Sequence, residues 1–279
     1  MNSNLANFGD DDNDDAWQVA GITLRSRFLL GTAGYPSPQS LRDAIVAART
    51  QVVTVGLKRQ LAAAGDNGYI AMIRDAMRET GARLLPNTAG CRTAREAIEL
   101  AQMARELYDT PWIKLEVIGD EHTLQPDPFE LLAAATELVR DGFVVFPYCT
   151  DDLVLCRRLL DAGCPLLMPW GAPIGSGQGL LNPFALRSLR ERLPDATLII
   201  DAGIGAPSHA AQALELGFDA VLLNSAVAQA RAPIAMAQAF RLAIEAGRGA
   251  RRAGVMAPQD FAVASTPVGG EPLLLGGAA

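Results

Sequence analysis

A lysine and a glutamate stand two residues apart in the apolar segment WIKLEVIGD, which begins at Trp112. Side chains alternate between the two faces of a β-strand, so Lys114 and Glu116 share one face with Trp112, and the aliphatic residues between them share the other. If the aliphatic face packs against helices, the two charges point into the protein, where burial is costly unless they pair. A lysine partly removed from water has a lowered pKa and can attack a ketone to form an imine.

Lys114 is therefore a candidate nucleophile, and Glu116 is a candidate acid or base for the proton transfers of imine chemistry. The alternative is an ion pair that only fills the interior. A further carboxylate, Asp201, ends an apolar run in TLIIDAGIG and precedes a glycine-rich turn. It is a second acid or base candidate, or else an aspartate that caps a helix or fixes the loop.

Two turns near the end of the sequence predict a site for an anion. Gly203 and Gly205 precede Ser208, which we interpret as the N-cap of the helix HAAQALELG, and Asn224 and Ser225 follow the next apolar run. Small residues let backbone N–H groups approach a ligand, and the start of a helix favours a negative charge. A phosphate can be held there without any basic side chain.

The loop GAPIGSGQG, residues 171–179, is the most glycine-rich connection in the chain. Long loops in a compact domain are often functional, so we expect this one to cover or contact the ligand. The alternative is a flexible connector.

Eight apolar runs alternate with longer amphipathic segments, and these elements must position the candidate residues. The runs begin at Phe28, Val52, Arg83, Trp112, Phe143, Pro165, Thr197 and Ala220. Apolar strands joined by helices indicate a parallel sheet covered on both faces, and eight such units predict a closed α/β barrel of the (β/α)8, or TIM, type. In that fold, reactive groups lie at the carboxyl ends of the strands. The alternative is an open, doubly wound sheet.

Start signals support the helices between these runs. Thr93 with Glu96 fits a capping box, and Pro233 fits a first helical position. We predict three segments: a disordered acidic leader at residues 1–16, a barrel at 17–254 and a coil tail at 255–279. The segment VAGITLRS at Val19 predicts a short extra strand that closes the bottom of the barrel.

Composition excludes several classes of protein. The 279 residues carry a net charge of −7 and a pI near 4.9, which argues against a nucleic-acid groove or an anionic membrane surface as the main partner. Four cysteines without a C-x-x-C pair and only two histidines argue against disulfides and a metal site. No apolar run reaches the roughly 18 residues of a membrane helix, and the acidic start lacks the features of a signal peptide. We expect a cytoplasmic enzyme.

Several long strings resemble the bacterial thiazole synthase family of thiamine biosynthesis, in the family's order, over residues 19–254. They are LLPNTAGCRTAREA, WIKLEVIGD, PDPFELLAAA, MPWGAPIGSGQGLLNP, IIDAGIGAPSHAA and VLLNSAVA. The resemblance implies a (β/α)8 barrel and a sulfur-transferring enzyme. That enzyme condenses 1-deoxy-D-xylulose 5-phosphate with dehydroglycine and with sulfur, which arrives as a thiocarboxylate on a small sulfur carrier protein.

The resemblance also implies roles for particular residues. Lys114 forms the imine, and Glu116 and Asp201 are the acid/base carboxylates. The contacts to the ketose phosphate fall on Gly175, Ala202, Gly203, Asn224 and Ser225. No metal or organic cofactor is implied; the implied partners are the carrier, an enzyme that supplies dehydroglycine, and further copies of the chain in a homotetramer. The sequence departs from the family pattern at Gln60, Trp170 and Ser225, and Trp170 can crowd the rim of the pocket.

Two other functions fit the same residues. One is an imine-forming barrel of another kind, such as an aldolase or a pyridoxal-phosphate-synthase-like enzyme, in which Lys114 is still the nucleophile. The other is a barrel that has lost catalysis and only binds a partner, in which Lys114 is paired, protonated and inert toward ketones.

Overall fold

The structure is a computed structural model that describes residues 15–58 and 67–265 of the chain. Its strands are β1 (Trp17–Val19), β2 (Ile22–Leu24), β3 (Phe28–Gly31), β4 (Val52–Gly56), β5 (Arg83–Asn87), β6 (Trp112–Leu115), β7 (Val144–Cys149), β8 (Leu166–Pro169), β9 (Thr197–Asp201) and β10 (Ala220–Leu223). Its helices are α1 (Pro38–Ala48), α2 (Asn67–Thr80), α3 (Ala94–Tyr108), α4 (Pro128–Arg140), α5 (Leu153–Asp161), α6 (Pro183–Arg192), α7 (Pro207–Glu215), α8 (Ser225–Ala228) and α9 (Pro233–Ala253).

Strands β3 to β10 form one closed barrel in which every neighbouring pair is parallel. Each of the eight apolar runs contributes one strand. β10 pairs with β9 on one side and with β3 on the other, so the sheet has no open edge. The predicted (β/α)8 barrel is confirmed, and the open doubly wound sheet is excluded.

The two faces of β6 separate as alternation predicts. Ile113 and Leu115 belong to the apolar layer between the strands and the surrounding helices. Trp112 points into the barrel, where its ring lies 5.0 Å from that of Phe146 on β7. Lys114 follows Trp112 on the inner face, one layer closer to the carboxyl ends of the strands.

The predicted extra strand at the N-terminus is present as a hairpin of two short strands, β1 and β2. Ala20 and Gly21 both have positive φ, which is the geometry of a two-residue hairpin turn. Trp17, Val19 and Leu24 pack against the inward side chains at the amino ends of the barrel strands. The hairpin thereby fills the end of the barrel opposite to the candidate residues.

Two of the predicted helix starts, at Thr93 and Pro233, are present. Thr93 caps α3 by accepting a hydrogen bond from the Glu96 N–H at 3.2 Å, and the Glu96 carboxylate accepts from the Arg92 N–H at 2.9 Å. Pro233 is the first residue of α9. These caps fix where each helix leaves its preceding loop, and hence the shape of the barrel mouth.

Parts of the predicted segments lie outside the described residues, namely residues 1–14 of the leader, Gln60, and residues 266–279 of the tail. The segment boundaries stay predictions. Asp15 is described: its carboxylate accepts hydrogen bonds from Arg27 and Arg248 at 2.8 Å each. No helix in the described ranges is both long and apolar enough to cross a membrane.

Candidate active site

Lys114 lies between two carboxylates inside the barrel. Its Nζ is 3.0 Å from Glu116 Oε1 and 2.7 Å from Asp201 Oδ2. The three side chains are 6%, 6% and 3% exposed, so the ion pairs are almost fully removed from water. Lys114 and Glu116 come from the end of β6, and Asp201 is the last residue of β9. The carboxyl-end rule for barrels therefore places all three together.

Thr88 holds the end of β6 against β5. Its hydroxyl donates to Glu116 O and accepts from Glu116 N, both at 2.8 Å. The Thr88 N–H also donates to Lys114 O at 3.1 Å. These bonds fix the backbone at Lys114 and Glu116. Thr88 therefore holds both the turn after β5 and the end of β6 in place.

The predicted lowering of the pKa of Lys114 is wrong. Burial does lower it, but the opposite charges of Asp201 and Glu116 outweigh burial and raise the pKa above its usual range. Lys114 is therefore an ammonium ion in the free site. Strand alternation predicts Glu116 beside the lysine, whereas the contact with Asp201 depends on the closure of the barrel.

The pKa of Asp201 is higher than that of an ordinary surface aspartate. Burial raises its pKa; Lys114 lowers it and Glu116 raises it again, and the result is about 6. A carboxylate with a pKa near 6 can accept a proton near neutral pH and return it. Ala202, the next residue, has a φ of +70°, a strained conformation for a residue with a Cβ.

A cavity of about 860 Å³ opens above these groups at the carboxyl ends of the strands. All eight residues predicted for the site line it: Lys114, Glu116, Asp201, Gly175, Ala202, Gly203, Asn224 and Ser225. The lysine and the carboxylates lie on β6 and β9, and the remaining residues lie on the loops after β8, β9 and β10. The structure thus brings the whole predicted set to one cavity.

The loops after β8 and β9 pack backbone to backbone, which requires glycine. A Cβ at Gly203 would lie 2.3 Å from Ala172 N, and one at Gly205 would lie 2.3 Å from Gly177 O. The Gly179 N–H donates to Gly203 O at 2.8 Å. The loop at residues 171–179 is therefore fixed against the β9 loop and forms one wall of the cavity.

The interpretation of Ser208 as an N-cap is wrong. Helix α7 begins at Pro207, so its N-cap is Ala206, and no side chain in the described structure caps it. Helix α8 follows Asn224 and also lacks a side-chain cap within the described residues. Asn224 donates instead to Ala33 O at 2.8 Å and so joins β10 to the loop after β3. Pro207 has no N–H and the His209 N–H donates to Ala206 O at 3.0 Å, so the Ser208 N–H is the one at the start of α7 that a side-chain cap would have served.

Sequence reasoning missed two residues of the site. The Tyr148 ring lies 5.6 Å from Lys114 Nζ, and its buried hydroxyl has no hydrogen-bond partner among the described residues. Strand alternation from Phe146 could have found it. Lys58 lines the cavity just beyond β4, and the carboxyl-end rule could have found it.

Trp170 is not one of the described residues that line the cavity, so the prediction that it crowds the rim is wrong. Its Nε1 donates to Asp151 Oδ1 at 3.3 Å. Within the described ranges, no group of three or more His, Cys, Asp or Glu residues could hold a metal ion.

The fold and the site define the class of the protein: a (β/α)8 barrel whose mouth holds a buried lysine between two carboxylates. Sequence comparison gives the family within this class. The sequence model of the family "Thiazole biosynthesis protein ThiG" matches residues 18–267. The chain belongs to this thiazole synthase family.

Individual relatives agree. Thiazole synthase from Ralstonia pickettii (strain 12J) is 62% identical over 258 residues, which cover 92% of this chain and 93% of the relative. Thiazole synthase from Coxiella burnetii (strain Dugway 5J108-111) is 57% identical over 259 residues, 93% of this chain and 98% of the relative. The crystal structure of the Amycolatopsis orientalis BexX/CysO complex matches with a TM-score of 0.78 and 31% identity, over 89% of this chain and 100% of that one. Family membership makes the protein an enzyme of thiazole synthesis in thiamine biosynthesis.

Proposed function

We propose that the protein condenses 1-deoxy-D-xylulose 5-phosphate, dehydroglycine and sulfur into a thiazole phosphate, through an imine between Lys114 and C2 of the ketose. The contact that carries the proposal is the 2.7 Å ion pair between Lys114 and Asp201 at the floor of the cavity. It supplies both the amine and a base that can free the amine from its proton.

The first step begins with the ammonium form of Lys114. A bound ketone brings its carbonyl carbon to Nζ, and Asp201, with a pKa of about 6, accepts the proton of the ammonium. The neutral amine adds to C2, and loss of water gives the protonated imine. The positive charge returns to a position between the two carboxylates, so the site stabilises the imine as it stabilises the ammonium.

The second step moves the carbonyl to C3. A carboxylate, Glu116 or Asp201, removes the proton at C3, and the electrons of the C–H bond neutralise the iminium nitrogen. A proton is then added at C2 while the hydroxyl on C3 loses its proton to a carboxylate, so that C3 becomes the carbonyl and C2 keeps a single bond to the Lys114 nitrogen. Sulfur transfer from the carrier, capture of dehydroglycine, ring closure and loss of water follow. These proton transfers need only the two carboxylates, so we propose no metal or organic cofactor for them.

The phosphate group is proposed to lie on the opposite part of the mouth from Lys114. Gly203 and the uncapped start of α7 follow β9, and Ser225 starts α8 after β10. Gly175 and Ala202 line the same side of the cavity. Backbone N–H groups and the Ser225 hydroxyl can hold a phosphate in a chain whose net charge is −7.

We also propose partners on the family resemblance. A small carrier protein delivers sulfur as a thiocarboxylate, a separate enzyme supplies dehydroglycine, and four copies of the chain assemble in the cytoplasm. The solved BexX/CysO structure is a complex of two proteins, which supports a docked protein partner for a related barrel.

Borohydride trapping with intact-protein mass spectrometry tests the imine. With 1-deoxy-D-xylulose 5-phosphate, the wild type should gain a ketose-sized adduct that maps to the WIKLEVIGD peptide, and Lys114→Ala should gain none. A barrel that only binds a partner predicts no adduct on either protein. An aldolase-type barrel predicts the adduct but no thiazole when the thiocarboxylated carrier is supplied.

A further inference from the structure

Lys58 is a second positive charge at the mouth of the cavity. Among the described residues that line the cavity, Lys58 and Lys114 are the cationic ones. Lys114 is buried between two carboxylates, but the Lys58 side chain is 47% exposed. Its Nζ donates to Gly90 O at 2.8 Å and lies 3.9 Å from Glu96 Oε2, the edge of ion-pair distance. Lys58 can therefore bind an anion without first breaking a strong ion pair.

Strand register places Lys58 near the reacting amine. Gly56 of β4 pairs with Asn87 of β5, and Asn87 pairs with Lys114 of β6, so the three lie in one layer. Neighbouring strands are about 4.8 Å apart, so the backbone of Gly56 lies about 10 Å from that of Lys114, measured along the sheet. Lys58 is two residues beyond Gly56, on the solvent side of that layer. Both lysine side chains line the same cavity, so a small molecule bound in that cavity can contact both.

The position of β4 also separates Lys58 from the proposed phosphate site. Around the barrel, β4 lies two strands from β6 and two strands from β10. A ketose phosphate that extends from Lys114 to the loops after β9 and β10 leaves the β4 side of the cavity open. That side is lined by Thr54, Gly56, Asn87 and Ala89, none of them charged, together with Lys58.

We propose that Lys58 binds the carboxylate of the α-imino acid substrate and holds its imine carbon beside the carbons carried on Lys114. This inference rests on the proposed function, which requires a second small substrate with a carboxylate. That carboxylate needs a cation at the mouth, and the buried ammonium of Lys114 is already held by two carboxylates. The proposed phosphate contacts, in contrast, are backbone N–H groups and the Ser225 hydroxyl after β9 and β10.

Two variants separate the charge of Lys58 from its hydrogen bond to Gly90. Lys58→Gln keeps an N–H donor but loses the charge, and Lys58→Arg keeps both. Arg92→Gln is the matched control, because Arg92 lies on the same rim, pairs with Glu121 and does not line the cavity among the described residues. Circular dichroism and thermal unfolding verify that each variant folds.

The first measurement is calorimetric binding of oxamate, an unreactive planar carboxylate with the same N–C–C skeleton as dehydroglycine and an additional carbonyl oxygen. Loss of one charged hydrogen bond weakens such a ligand by roughly 10- to 100-fold, so Lys58→Gln should show that increase in Kd. Lys58→Arg should recover most of the affinity, and Arg92→Gln should bind like the wild type. Equal oxamate binding by the wild type and Lys58→Gln would overturn the proposal.

The second measurement follows thiazole formation while each substrate is varied in turn, with dehydroglycine generated from glyoxylate and ammonia. Lys58→Gln should raise the KM for dehydroglycine and leave the KM for the ketose phosphate and for the carrier unchanged. An increase only for the ketose phosphate would make Lys58 a phosphate contact, and an increase only for the carrier would make it a contact of the thiocarboxylate. Either result overturns the proposal. Failure of the proposed function would appear separately, as absence of the ketose adduct on the wild type.

Discussion

Lys114 Nζ lies 2.7 Å from Asp201 Oδ2, although β6 and β9 are three strands apart around the barrel. The contact crosses the interior, so it exists only when the barrel is closed. It has two consequences for the lysine. The charge of Asp201 raises the pKa of Lys114, and in the proposed function Asp201, whose own pKa is raised by burial, is the base that accepts the proton of Lys114.

The pH dependence of imine formation should report Asp201. Below pH 6 the carboxylate is increasingly protonated and cannot accept the proton of Lys114, so the rate should fall about tenfold per pH unit. Above this pH the rate should level off until other groups titrate. Stopped-flow trapping of the ketose adduct at several pH values measures the profile.

Asp201→Asn should remove this acid limb and lower the plateau rate by about 100-fold or more, the range for loss of a general base. Asp195→Asn, a surface change just before β9, is the control and should leave both the limb and the plateau in place. An acid limb that persists in Asp201→Asn would assign the proton acceptor to another group.

The buried ion pairs also predict the stability of Lys114→Met. Without the ammonium, two carboxylates face each other in a site less than a tenth exposed, and breaking a buried pair in this way costs about 3–5 kcal/mol. The loss should be larger at high pH, because the folded variant can relieve the repulsion at low pH by binding a proton. Urea unfolding at about pH 5 and about pH 8 measures both effects.

Asp201→Asn in the same chain should recover most of the stability lost in Lys114→Met, since only one buried charge then remains. If the single and double variants unfold at the same urea concentration, the carboxylates do not interact strongly in the absence of the lysine, and burial alone must account for the raised pKa of Asp201.

Much of this site could be predicted from local patterns. The eight apolar runs set the barrel, and alternation within WIKLEVIGD placed Lys114 and Glu116 on the inner face. The direction of the pKa shift of Lys114 could not be predicted in the same way. It depends on how many carboxylates reach one amine, and the second of them arrives from a distant part of the chain.

The start of α7 is a different case, because the sequence did contain the signal. Pro207 suits the first position of a helix, which places the N-cap at Ala206 rather than at Ser208. The proline also explains why the start has few N–H groups to cap, since Pro207 has none and the His209 N–H donates to Ala206 O.

Tyr148 should contribute through its ring and not through its hydroxyl. The ring lies 5.6 Å from Lys114 Nζ, where a desolvated cation–π contact contributes about 2 kcal/mol. Tyr148→Phe keeps the ring and removes a buried hydroxyl without a partner in the described structure, so it should unfold at an equal or slightly higher temperature. Tyr148→Leu should be less stable and should form the ketose adduct more slowly.

Calorimetry and adduct kinetics on both variants test whether the ring or the hydroxyl of Tyr148 contributes. A Tyr148→Phe protein that loses imine formation while keeping its melting temperature would show instead that the hydroxyl takes part in proton transfer.

Gly203 and Gly175 give a matched pair for the wall of the cavity. Both have positive φ, +78° and +76°, so alanine at either site costs about 1–2 kcal/mol of backbone strain. A Cβ at Gly175 meets nothing within 4 Å, whereas one at Gly203 would lie 2.3 Å from Ala172 N and 2.5 Å from Ala172 Cβ. Gly203→Ala must therefore push the loops after β8 and β9 apart in addition to the strain.

We expect Gly203→Ala to lose about 2–4 kcal/mol of stability. Its kcat/KM for the ketose phosphate should fall about 100-fold, because a shift of about 1 Å in the loops after β8 and β9 moves C2 of the substrate away from Lys114. Gly175→Ala should lose only the strain energy and keep most of its activity. Urea unfolding measures the stability of both variants, and initial rates measure their kcat/KM for the ketose phosphate. Equal losses at the two positions would mean that the φ angles matter and the backbone contact between the loops does not, since the contact is the feature in which the two glycines differ.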